Sequence, residues 1–215
     1  MARLQVNRLS KEYINSLPII RFEGEVKVVN LPDQEEVVIQ QLRKKTYVGF
    51  DTESRPAFKK GTSYPISLVQ LATQNRAYLF QLEKTGFSDA LTDFFTDSNI
   101  KKIGVGVKND IEKLQELKIF NPAGFIDLSQ IAKEKGIIQI GARGLTARYI
   151  GRRLVKTAQK TNWAHPHLTL KQQKYAACDA WICLQIYPHL MADLTDYHQF
   201  IEEESGEAVD KEQSL

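Results

Sequence analysis

TYVGFDTESRPAFKKGTSYPISLVQLATQNRAYLFQL, residues 46–82, decides the fold. TYVGF (46–50) is a short apolar run that reads as a buried strand, and Asp51, Thr52 and Glu53 follow it directly. ISLVQLAT (66–73) and RAYLFQL (76–82) are two more strands, and Gln74-Asn75 between them predicts a hairpin. Downstream, the helical spacing of FSDALTDFF precedes a strand over KKIGVGV (101–107) and a helix over NDIEKLQELK (109–118). GFIDL (124–128) reads as a strand leading into SQIAKEKG, a helix closed by Gly136. Three early strands followed by this alternation predict an α/β fold with a mixed sheet.

Upstream, residues 18–31 read as extended and peripheral, and Pro32-Asp33 opens a helix with acids in its first turn and bases in its last. LTARYIGRRL (145–154) reads as a basic helix. Thr169-Leu170-Lys171-Gln172 matches a capping box, after which QQKYAACDAWICLQIY runs helically until Pro188 interrupts it.

The length of 215 residues fits one domain, flanked by an N-terminal extension (1–27) and an acidic, disordered tail (201–215); the domain itself is expected over 28–200. With 42% hydrophobic and 26% charged residues, a wholly disordered chain is excluded. No stretch approaches the length of apolar sequence that a membrane-spanning helix needs. The opening MARLQVNRLSKEY lacks an apolar core, so no secretory signal is read and a cytoplasmic location is expected, although its three bases ahead of Glu12 leave organelle targeting open. Cys178 and Cys183 read as two buried free thiols, because positions five apart on one helix do not face each other.

The formal charge of +3 conceals an uneven distribution. Residues 202–215 hold six acids and one lysine, a net of −5, so the rest of the chain carries +8. Lys135 to Cys178 contains no Asp or Glu and nine basic residues. A solvated face mixes both signs, so this window points to an anionic partner; chance, or pairing with acids elsewhere in the fold, is the plainer alternative.

Four carboxylates could carry chemistry. Residues two apart in a strand share a face, so Asp51 and Glu53 point the same way, and a cation or shared proton between them would offset their repulsion. Oxygen-ligated divalent metals supply such a cation; a strand simply emerging into solvent is the bland alternative. Asp179 lies in a helix that is apolar on nearly every face, with no base three or four positions away, so a tertiary cation or a raised pKa is expected. Tyr175 is one turn earlier and could position a water, or merely pack in the core. Asp110 falls where a strand turns into a helix, where Asp is most often a cap. Gly104-x-Gly106 with Asp127 imitates a dinucleotide fingerprint, but Asn109 stands at the third glycine position.

VGFDTE, IGVGVKNDIEKL and YAACDA resemble, in order, the three motifs of the DEDD superfamily of 3′–5′ exonucleases. The Tyr-x-x-x-Asp spacing of the third resembles the DEDDy branch, which includes ribonuclease D and the exonuclease domain of the Werner syndrome helicase. ISLVQLA, FIDL and the surroundings of YAACDA also look similar, and the resemblance covers roughly residues 28 to 192. It implies a ribonuclease H-like fold with a five-stranded mixed sheet flanked by helices, and two divalent ions, Mg²⁺ or Mn²⁺. It also implies that Asp51 bridges the ions, that Glu53 and Asp179 complete one site, that Asp110 serves the other, and that Tyr175 orients the attacking water. His165-Pro166-His167-Leu168 departs from the Arg-Pro-Leu common in relatives, and reads as a structural turn rather than a metal site.

The expected function is release of nucleoside 5′-monophosphates from a nucleic-acid 3′ end, with DNA slightly favoured over RNA. The alternatives are ribonuclease D-like RNA trimming and a nucleic-acid-binding module that no longer turns over. Arg148, Arg152, Arg153, Lys156 and Lys160 are the expected backbone contacts; Trp163 could stack a base, although packing in the core is the plainer role for a tryptophan. At this length the chain is expected to lack an appended helicase or helical nucleic-acid-binding domain. No protein partner is indicated.

Overall fold

A computed structural model of the chain describes residues 8–59 and 61–209, with side chains described through Asp193. A short helix α1 (Lys11–Ser16) comes first, capped by the Ser10 hydroxyl, and is followed by β1 (Glu25–Val29) and α2 (Pro32–Leu42). Next come β2 (Tyr47–Ser54), β3 (Ile66–Ala72) and β4 (Arg76–Gln81), then α3 (Leu82–Thr85) and α4 (Asp89–Thr96). The chain then alternates through β5 (Lys101–Gly104), α5 (Val107–Leu117), β6 (Phe125–Asp127) and α6 (Leu128–Glu134). It ends with α7 (Ala142–Ile150) and α8 (Leu170–Val209).

The sheet is mixed, as expected, with the order β1-β4-β3-β2-β5-β6. β2, β3 and β4 pair antiparallel, while β1 on β4, β5 on β2 and β6 on β5 are parallel. It has six strands rather than the expected five. The addition is β1, which begins at Glu25, so the boundary expected at residue 28 falls inside it. Its half-exposed residues at the sheet edge alternate too weakly to read as a strand.

Helices cover both faces. Val48 and Phe50 of β2 and Val69 and Leu71 of β3 face one layer, where Phe50 meets Phe95 and Phe125 edge-on at 5.6 and 5.3 Å. The other face is covered by α6, α7 and α8, through Leu128, Leu145, Ala177 and Ala180. Among the described residues, no helix is long and apolar enough to cross a membrane.

Two helix ends differ from the sequence expectation. The basic helix expected over 145–154 stops at Ile150, because Gly151 adopts φ +65° and ends it in a left-handed turn. Arg152 and Arg153 therefore lie in extended chain, where Ile19 and Arg153 form a parallel bridge. Pro188 does not stop α8: it sits on the exposed side, where the one missing hydrogen bond is cheap, while Ile182, Ile186 and Leu190 continue the buried stripe. The side chains of the acidic tail expected from residue 201, and all of residues 210–215, lie outside what is described.

Candidate active site

β2 does not end with its apolar run but continues through Asp51 and Glu53. Strand alternation puts both carboxylates on the face that Gly49 offers to α8. Gly49 has no side chain there, so the backbone of α8 at Ala180 comes down onto the strand and carries Asp179 with it. The helix start that makes this possible is the predicted capping box. Gln172 Oε1 accepts from the Thr169 backbone N–H at 3.0 Å, and Thr169 Oγ1 accepts from the Gln172 N–H at 3.3 Å. Gln172 also donates to Thr161 and to the Asn162 carbonyl, tying the helix to the loop before it.

Asp110 is not a cap. The N-cap of α5 is Gly106, in the left-handed region at φ +77°, and Asp110 stands in the first turn. Thr52, pointing to the other side of β2 from Asp51 and Glu53, donates its hydroxyl to Asp110 Oδ1 at 2.6 Å. Asp127, the acidic residue of the apparent dinucleotide fingerprint, accepts from the N–H groups of Gly106 and Ser129, both at 2.8 Å. It locks two turns together.

The four carboxylates sense one another. Burial pushes the Asp51 carboxyl well above its ordinary range, and the charges of Asp179, Asp110 and Glu53 add to the rise. Burial, then Asp179 and Asp110, lift Glu53 to about 8. Asp179 is raised to about 7 by burial, against the lowering effects of a Tyr175 hydrogen bond and the Lys156 charge. Asp110 is raised by burial, offset in part by Thr52 and Lys113. The Tyr175 hydroxyl is raised by burial and by the Asp179 charge, so it stays protonated and donates to that carboxylate.

Asp51, Glu53, Tyr175 and Asp179 line one groove of about 890 Å³, with Asp110 beside it. The residues fit hard divalent cations: every donor is an oxygen, and among the described residues the positive side chains acting on these carboxylates are Lys156 and Lys113. Among the described residues, no three potential ligands already stand in metal-holding geometry. The carboxylates thus share a site without forming a closed cage.

Of the six expected nucleic-acid contacts, only Lys156 lines this groove. Arg153 donates from Nε to the Leu17 carbonyl at 2.9 Å and fastens the N-terminal segment. Arg148 is half-buried on α7, and Arg152 and Lys160 are exposed; none of the three lines the groove. Trp163 is 1% exposed, with its ring 5.9 Å from that of Tyr175, so it supports the tyrosine from below and offers no face to a base. His165 and His167 form a turn in which the His167 N–H meets His165 Nδ1 at 3.1 Å. Cys178 and Cys183 are free and buried, as expected.

Several groove residues had escaped the sequence reading. Thr52 was legible in principle as the hydroxyl between two carboxylates. Arg143 belongs to the acid-free basic window, whereas Arg8, Lys11 and Gln139 left no comparable signal, because their place depends on contacts across the whole chain.

The chain is similar to known proteins over most of its length. Residues 26–195 match the family model described as 3′–5′ exonuclease. The chain is 29% identical over 186 residues to the bifunctional 3′–5′ exonuclease/ATP-dependent helicase WRN of Mus musculus, covering 82% of this chain and 13% of that protein. The crystal structure of the Aedes aegypti Nibbler EXO domain superposes with a TM-score of 0.71 at 22% identity, covering 92% of this chain and 98% of that one. Escherichia coli RNase D, described as an exoribonuclease involved in structured RNA processing, superposes with a TM-score of 0.70 at 24% identity, over 78% of this chain and 44% of that one. The expected ribonuclease H-like arrangement is the fold of these neighbours.

Proposed function

Because the chain belongs to the 3′–5′ exonuclease family, we propose that its groove removes nucleotides one at a time from the 3′ end of a nucleic acid, releasing nucleoside 5′-monophosphates. The observation that carries this reading is the gathering of Asp51, Glu53, Asp179 and Tyr175 in one groove, with Asp110 held beside it by Thr52.

Asp51, Glu53, Asp110 and Asp179 would hold two divalent ions, Mg²⁺ or Mn²⁺, which supply an activated water and stabilise the charge of the leaving oxygen. The chain's own groups do the rest. Burial among like charges makes the ionised carboxylates costly, so the site favours a bound proton or a bound cation, and the ions would take the place of the proton. Tyr175 is fixed by Asp179 on one side and by the Trp163 ring on the other. With its proton given to Asp179 in a hydrogen bond, the phenol offers its oxygen lone pairs to a water, so it orients that water rather than deprotonating it. Lys156 puts positive charge beside Asp179 at the groove wall, where a phosphate would approach. DNA is slightly favoured over RNA as the substrate. The E. coli RNase D likeness is one of fold and does not decide between them.

The test pairs metal binding with hydrolysis. Purified protein is expected to bind Mn²⁺ by calorimetry and to degrade single-stranded DNA, 3′-recessed DNA or RNA only when Mg²⁺ or Mn²⁺ is present. Asp51→Asn is expected to lose both properties. Hydrolysis that persists at the wild-type rate in Asp51→Asn contradicts the proposal. Salt-sensitive binding without metal-dependent hydrolysis would support a silent binding module instead.

A further inference from the structure

The groove has a wall that the carboxylate motifs do not supply. Arg8, Leu9, Lys11 and Ile14, from α1 and the residues just before it, line it together with the catalytic carboxylates. This segment is fixed in place. The Leu9 N–H donates to Gln139 Oε1 at 2.7 Å, and Gln139 Nε2 donates back to the Leu9 carbonyl at 3.0 Å. Ile14 is buried, Arg143 donates to Asn15 Oδ1, and Arg153 donates to the Leu17 carbonyl. The main chain of Arg153 closes the clamp, donating to the Pro18 carbonyl at 2.9 Å and accepting from the Ile20 N–H at 3.1 Å.

These anchors come from the acid-free window, which therefore acts in part indirectly, by holding a second basic element against the site. Arg8 and Lys11 are exposed, and neither makes an ion pair among the described residues. Arg143 and Lys156 add positive charge elsewhere in the lining. Apart from the catalytic carboxylates, Glu12 is the one acid among the described groove residues. The groove is thus negative at its floor, where cations belong, and positive on its walls, where a polyanion would run.

Resting on the nuclease reading, we propose that residues 8–17 form a fixed wall of the substrate groove. Arg8 and Lys11 hold backbone phosphates of the strand that leads into the site. They act on the nucleotides upstream of the scissile bond and not on the reacting atoms. A clamp made before substrate arrives spares the ordering cost that a mobile arm would incur on binding.

The experiment measures binding and turnover separately. Asp51→Asn protein, metal-free in EDTA, is titrated onto fluorescein-labelled single-stranded DNA and RNA between 50 and 200 mM KCl, with and without Arg8→Gln/Lys11→Gln. Each phosphate contact on a single strand contributes about 0.7 to the slope of log affinity against log salt, so losing two should flatten it by about 1.4. In the otherwise wild-type enzyme, the double substitution is expected to raise KM for an oligonucleotide about tenfold while kcat stays within about twofold. Gln139→Ala keeps both charges but releases Leu9, and is expected to raise KM as well.

An unchanged slope and KM in Arg8→Gln/Lys11→Gln overturn the phosphate contacts, and a wild-type KM in Gln139→Ala overturns the fixed wall. Protein with wild-type sequence that neither binds nor cleaves any polynucleotide overturns the nuclease reading and this inference together, so the two failures are distinguishable.

Discussion

Gly49 of β2 and Ala180 of α8 approach so closely that a Cβ on Gly49 would stand 2.0 Å from the Ala180 carbonyl oxygen. That contact sets the distance between the strand carrying Asp51 and Glu53 and the helix carrying Tyr175 and Asp179. Gly49→Ala must therefore push α8 outward, because the obstacle is backbone and cannot rotate away. Overpacking of this kind costs roughly 1–3 kcal/mol. We expect a lower Tm together with a loss of activity larger than the stability change explains, checked by thermal melts and by kcat at 25 °C. A variant with full activity would separate the contact from site assembly.

Tyr175→Phe removes the hydroxyl while keeping the ring that packs against Trp163. The expected result is a fall in kcat of about 10²-fold, in the range for loss of a positioned proton-transfer or water-orienting group, with KM and Tm nearly unchanged. Steady-state kinetics on a labelled oligonucleotide measures this. Unaltered kcat would reduce Tyr175 to a packing residue.

The carboxylates predict an inverted pH dependence for the metal-free protein. Burial and the charges of Asp179 and Asp110 raise Glu53 from 4.5 to about 8 in the folded state. Between those values the folded chain holds a proton that the unfolded chain has released, so stability falls as pH rises. Tm in EDTA should drop between pH 5.5 and 8, and Glu53→Gln should flatten that drop. Added Mn²⁺ should stabilise more at pH 8 than at pH 5.5, because it binds the ionised folded form. A Tm slope identical in wild type and Glu53→Gln would contradict the assignment.

Lys102 offers a contrast away from the site. It is fully buried on β5, and its ammonium donates to the Asp97 carbonyl at 2.6 Å and the Phe94 carbonyl at 3.4 Å, closing the end of α4. Lys102→Met strands these carbonyls in the core, which costs about 2 kcal/mol and lowers Tm by roughly 4–8 °C. Activity per folded molecule at 25 °C should stay at the wild-type level.

Gln70 is fully buried in register with Asp51, and neither atom of its amide group has a hydrogen-bond partner among the described residues. Gln70→Leu removes that unmatched burial and keeps the volume. It is expected to add about 1–2 kcal/mol and to raise Tm by roughly 2–8 °C; a melt that shifts downward would reveal a partner that Gln70 serves.

What could be read from the sequence followed from local rules. Asp51 and Glu53 were placed on one face by strand alternation, and the α8 start by the Thr169–Gln172 box; both rest on spacing within a few residues. The hairpin at Gln74-Asn75 was legible for the same reason, and Thr73 and Arg76 close it in the structure. Long-range geometry was not legible. Arg152 and Arg153 read as a continued helix because the basic pattern ran past Gly151, whose left-handed turn ends it. Core packing was the plainer reading of Trp163, but its partner, the Tyr175 ring, emerged only with α8 in place. The N-terminal wall depends on Gln139 meeting Leu9 across 130 residues, and its six-residue helix is too short to show a period.

The most direct measurement of the central claim is the product pattern from a 5′-labelled single strand incubated with Mg²⁺ or Mn²⁺. One active site built from Asp51, Glu53, Asp110, Tyr175 and Asp179 predicts a ladder shortening by single nucleotides from the 3′ end, with nucleoside 5′-monophosphate as the released product. The ladder should be abolished in Asp179→Asn and by EDTA. Internal cuts, shortening from the 5′ end, or an unchanged ladder in Asp179→Asn would contradict it.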